Sequence, residues 1–202
     1  MNLRGLAAYA GAACLSVLAA GCGTSEETMR DLRSPNALQQ IRAIDEIIKH
    51  RQARDDAVAL LALRLESPVP QVSVRAAHAL GVIGERGLPA LTRALKSPEP
   101  ETRWKAACGL AAAGSAARDA FPALLNALLD SDPQVRQEAA VALGRMGAHD
   151  AIVALKARRD QEEDPAAREA IAGALQMLGA ETPAAPAPAR TIESRGEAES
   201  PP

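Results

Sequence analysis

A chain of 202 residues is long enough for one ordinary domain. Only Tyr9, Trp104 and Phe121 are aromatic, so alanine and leucine carry the apolar surface, and alanine is the best helix former. The net charge of −2 shows no basic excess and argues against nucleic-acid binding, while Cys14, Cys22 and Cys108 have neither metal-ligand spacing nor a paired framework.

Arg4 precedes an uncharged run, residues 5–20, GLAAYAGAACLSVLAA. That run has the length of a signal-peptide hydrophobic region and is short for a spanning helix. Ala19, Ala20, Gly21 and Cys22 follow. The segment resembles a bacterial lipobox, although leucine stands at 18 and alanine at 19, where the usual pattern prefers leucine. The resemblance implies cleavage before Cys22, acylation of its thiol and lipid anchoring in the cell envelope, facing the periplasm. Gly23 is not the acidic residue that retains some lipoproteins at the inner membrane, which favours the outer one. Residues 1–22 are therefore read as a targeting segment outside the fold. With Cys22 acylated, Cys108 is left as a lone thiol and a small hydrophobe.

Residues 23–34 read as a short tether and a capping helix, EETMRDLR at 26–33. A repeat then begins, most legible at 135–147, VRQEAAVALGRMG. With Val135 as position zero, Ala139, Ala140, Ala142, Leu143 and Met146 fall at offsets of 4, 5, 7, 8 and 11, one apolar stripe of an α-helix. Gly147 stops it. The same template starts at Gln39, Val72, Thr102 and Ala167, so successive copies lie 30 to 33 residues apart. Pro70, Pro100, Pro133 and Pro165 each stand two residues before position zero, where a first helical turn tolerates the missing N–H. Second helices are expected between the templates, at 54–66, 87–96, 118–130 and 149–160. The last copy has none. From residue 180 the chain is Pro/Ala-rich and polar, and a disordered tail is expected over 180–202.

Self-similarity at this period is the signature of a solenoid. The proline, Val-Arg, alanine pair, Ala-Leu-Gly and closing glycine resemble the HEAT repeat, in the short form of phycobilisome-lyase-type proteins, over residues 35–179. The resemblance implies an all-α fold, a right-handed α-α superhelix of about 4.5 helix pairs, with template helices on the convex side. It also implies that Arg103, Arg136 and Arg168 hold the inter-repeat turns, pairing with acids such as Asp132 and Asp164.

The residues point away from catalysis. His50, His78 and His149 are scattered and none precedes a glutamate, as iron-holding HEAT-like hydroxylases require, so no metal and no cofactor is expected. No nucleophile–base pair stands out. Gly81, Gly84 and Gly87 follow a helix, not a strand, and end it instead of cradling phosphate. Position +2, about opposite the buried stripe, holds Ile41, Val74 and Trp104, each followed by a cation: Arg42, Arg75 and Lys105. An outward tryptophan aligned with Ile and Val is a candidate surface for a protein partner or an anionic bilayer. The sequence thus reads as a lipid-anchored, non-catalytic module that binds protein. An accessory subunit of an envelope enzyme or transport complex, and a lyase- or chaperone-like protein, are the alternatives.

Overall fold

A computed structural model describes residues 24–51 and 53–180. The targeting segment with Cys22 and the tail from residue 181 lie outside these.

Every described element is helical. A short α1 (Glu26–Arg33) comes first, started by the Ser25 hydroxyl accepting the Thr28 N–H. Template helices follow: α2 (Ala37–His50), α4 (Pro70–Ile83), α6 (Pro100–Ala113), α8 (Pro133–Met146) and α10 (Pro165–Met177). Second helices alternate with them: α3 (Asp55–Arg64), α5 (Leu88–Ala94), α7 (Phe121–Ala127) and α9 (Ile152–Gln161). Each repeat-opening proline occupies the first helical position, where it sacrifices no hydrogen bond. The second helices are shorter than their apolar spacing suggests. Before α7 and α9 the chain winds as 3₁₀ turns, Gly114–Ala120 and His149–Ala151.

The template helices stack side by side in chain order, and each second helix packs on the template that follows it. The template stripe forms the core: Val72, Ala76, Ala77, Ala79 and Leu80 are fully buried, as are Val135, Ala139, Ala140, Ala142 and Leu143. Burying these apolar side chains against neighbouring copies is what holds a stack of this kind, since each copy contacts only the next. At its tightest a Cβ on Gly81 would lie 2.0 Å from the Gly109 carbonyl oxygen. Second helices do not approach one another as closely. The more closely spaced row of a curved stack is its inner row. The template helices are therefore on the concave side, and the convex placement drawn from the resemblance is corrected.

Both ends are closed. Thr24 is buried and its hydroxyl accepts the Arg54 N–H at 3.0 Å, which ties the chain ahead of α1 to the start of α3. At the other end Ala180, expected in the tail, packs on the core and donates its N–H to Leu175. The positions that inner templates turn to their successor are small and buried at offset 9: Gly81, Ala111 and Gly144. In α10 that position is Gln176, which is exposed, as are Arg168 and Glu169. The last template thus carries the polar outer face that a terminal repeat needs.

Candidate interaction surface

The solvent-facing arc of the template helices is the surface on which the sequence placed its candidate residues. Arg42 is exposed. Arg75 is half-exposed and ion-paired at 2.5 Å with Asp45 of the preceding template. Ile41, Val74 and Trp104 are only half-open, and Ile41 and Trp104 pack against the core. Lys105 is 3% exposed, its Nζ 2.7 Å from Glu101 on its own helix and 5.9 Å from the centre of the Trp104 ring. An exposed apolar row backed by three free cations is therefore corrected to a narrower surface. Each template helix is flanked by two neighbours as well as a second helix, so its buried arc is wider than one apolar stripe. Trp104 keeps an open edge, and the open cation of the set is Arg42.

The sequence reading missed the other half of this surface. Offset 3 of one template faces offset 6 of the template before it. Arg75 meets Asp45 in this way, and Glu138 acts electrostatically on Cys108 across α6 and α8. Burial pushes the Glu138 carboxyl up from its ordinary range, opposed by Arg145. Burial also pushes the Cys108 thiol up, which leaves it protonated and a poor nucleophile at neutral pH. No local pattern in the sequence marks Glu138, because its environment is made by a helix about thirty residues away.

The repeat arginines form a ladder along one edge. Arg103 Nη1 donates to the Ser97 and Pro98 carbonyls of its own turn, and its Nε and Nη2 grip Asp130 of the next turn at 2.7 and 2.8 Å. Arg136 repeats the pattern, donating to the Asp130 and Ser131 carbonyls and gripping Glu162 at 2.7 and 2.6 Å. Arg168 donates to the Glu162 carbonyl, and no further turn follows it among the described residues. Asp132 and Asp164 act on Arg103 and Arg136 through charge alone, while the direct pairs are with Asp130 and Glu162. Asp132 and Asp164 are helix N-caps, accepting from Gln134 and Val135 and from Ala167 respectively. The paired acid stands two residues earlier, at offset −5, where the copies read Ser34, Ser67, Ser97, Asp130 and Glu162. An acid occurs there only when the preceding copy supplies an arginine, a signal present in the sequence but visible only once the copies are aligned with a shift of one.

Among the described residues Glu162 is the most enclosed acid, its side chain 0% exposed. The Arg136 fork, with Arg158 and the Asp164 N–H, outweighs burial and holds its carboxyl at about 2. Burial alone would raise Asp130, but the Arg103 fork and the Asp132 N–H bring it below its ordinary value. These pairs are structural: both guanidiniums spend their donors on turns and acids of the stack.

Between the second helices a groove of about 870 Å³ runs beside α5 and the 3₁₀ turn before α7, with Leu88, Thr92, Arg93, Lys96 and Arg118 on its walls and no cysteine or histidine. Among the described residues no group of His, Cys, Asp and Glu is gathered as a metal would need, and no helix is long and apolar enough to cross a membrane.

Residues 88–176 match the family of HEAT repeats. No curated protein matches the chain. Among solved structures, the complex of CpcE and CpcF of phycocyanin lyase from Nostoc sp. PCC7120 is similar at 26% identity and a TM-score of 0.57, over 76% of this chain and 64% of that one. This chain therefore spans less than two thirds of that relative. An engineered protein is similar at 23% identity and a TM-score of 0.48, over 75% of this chain and 78% of that one. The fold is an α-solenoid.

Proposed function

We propose that the protein is a non-catalytic interaction module, held at the cell envelope through Cys22, that captures a protein partner on the concave face of its template helices. The observation that carries this reading is the half-open Trp104 on α6, on a face that also carries exposed Arg42 on α2 while Arg75 and Lys105 of the same row are paired with Asp45 and Glu101. A rigid, partly buried aromatic on a surface that also presents an open cation is the composition of an interface anchor. The ladder and the apolar stripe leave that face free to vary without cost to the core.

The test is affinity capture from solubilised envelopes with the wild-type chain, Trp104→Ala and Arg42→Glu, with palmitate labelling of wild type and Cys22→Ser in parallel. A defined partner retained by wild type and lost, at least tenfold, from both surface variants is expected, together with label that disappears in Cys22→Ser. Equal capture by all three chains removes the surface from the reading, and unlabelled wild type removes the anchor.

The similarity to a phycocyanin lyase complex favours one second reading, a lyase- or chaperone-like protein that handles a client. The groove beside α5 is large enough for a small ligand. That reading requires ligand-dependent protection of α5 and α7, which the interaction module does not.

A further inference from the structure

We propose that the solenoid is two cooperative blocks, residues 24–86 and 88–180, meeting at a seam between α4 and α6 that only apolar contact holds. Three kinds of polar tie join neighbouring copies in this molecule, and all three fail at this one seam.

The first is the rung. Arg103–Asp130 and Arg136–Glu162 clamp consecutive turns on the C-terminal side. At the seam the corresponding residues are Ser73 and Ser97. Ser73 turns its hydroxyl back to the Pro70 carbonyl of its own helix, and Ser97 accepts from Glu99 within its own turn. A cleft of about 380 Å³ lies between the two turns, with Ser67, Ser97, Thr102 and Lys105 on its walls. The second is the face pair. Arg75 crosses to Asp45, but the residue equivalent to Asp45 on α4 is His78, so Lys105 finds no acid there and folds back onto Glu101. The third is the loop tie. Arg86 reaches back to the Ala53 carbonyl at 3.1 Å. The next loop carries Arg118, and among the described residues no hydrogen bond joins it to the turn before it.

Ahead of the seam, Arg64 reaches the Leu32 carbonyl and Arg54 reaches Glu26, so the N-terminal copies are also tied. What holds the seam is Gly81 against the Gly109 backbone, with the alanines beside it. In a linear array the boundary between cooperative blocks falls at an interface between neighbours, and this one has close backbone packing but none of the polar ties that join the copies on either side. The concave face crosses the seam, with Arg75 on one block and Trp104 on the other, so opening there changes the distance between them.

Hydrogen exchange of the full chain in graded urea, read by mass spectrometry, tests this. Amides of α2 and α4 are expected to lose protection together at lower urea than those of α6, α8 and α10. Ser73→Arg with Ser97→Asp should install the missing rung and slow exchange in α4 by about tenfold, the effect of one charge-assisted hydrogen bond. His78→Asp, an exposed substitution that gives Lys105 a partner across the seam, should act in the same direction and decides the matter should the double variant fold poorly. A single step common to all helices, a boundary at another seam, or no change in α4 with a well-folded variant overturns the proposal.

Discussion

Glu162 carries the clearest consequence at the scale of a residue. Its carboxyl is held at about 2, below the ordinary 4.5, chiefly by the Arg136 fork. A carboxyl depressed in the folded state contributes stability that is fully present above its unfolded value and is lost as the pH falls toward its folded value. The midpoint of urea unfolding should therefore fall between pH 4.5 and about 2, and Glu162→Gln should flatten that limb while lowering stability at pH 7. Arg136→Leu leaves the enclosed carboxylate without its partner and should cost about 3 kcal/mol at neutral pH. The sequence displayed the arginines plainly but not their partners. The nearer acids, Asp132 and Asp164, were taken by the helix starts, where a carboxylate facing free N–H groups is already satisfied. Lys105 misled for a similar reason: sequence gives a side chain's angle around its own helix, while burial is set by the neighbours.

Among the helices, the spacing of glycine and alanine decides how closely the inner row packs. Gly81→Ala would drive a Cβ to 2.0 Å from the Gly109 oxygen, a backbone atom that cannot move alone, and should destabilise by roughly 3 kcal/mol. Gly173→Ala, inside α10 with nothing within 4 Å of the added carbon, should stabilise by about 1 kcal/mol from helix propensity alone. Thermal unfolding of the two variants separates packing from conformational freedom, because the same substitution must act in opposite directions. The alternation of template and second helices was legible because proline, alanine pair and glycine recur in register. Helix lengths were less so, since the 3₁₀ turns before α7 and α9 carry no proline or glycine pattern that distinguishes them from a helical first turn. Gly84 is a clear exception: its φ of 77° and ψ of −136° are open to glycine and closed to other residues, so the stop it marks could be read directly.

Taken whole, the molecule is a stack with one polar end. Gln176 occupies the position that inner templates bury against a successor, and Arg168, whose counterparts Arg103 and Arg136 are enclosed by the next turn, is exposed. Replacing Gln176 by the Gly found at that offset in α4 and α8 should expose an unfinished interface. Concentration-dependent end-to-end association, seen by sedimentation, is the expected outcome; a monomer at every concentration would show that the polar face is not what ends the array. The solenoid itself followed from period and pattern. Its curvature did not, because which row lies inside depends on the relative closeness of two sets of helices, a comparison no single copy contains.

Thr24 bears on the lipid anchor proposed above. Its enclosed hydroxyl bolts the backbone to the head of α3, so a fatty acyl group on Cys22 would have a leash of two residues, about 7 Å at full stretch. The first repeat would then ride against the lipid headgroups, and a client would have to come to the bilayer surface to be met.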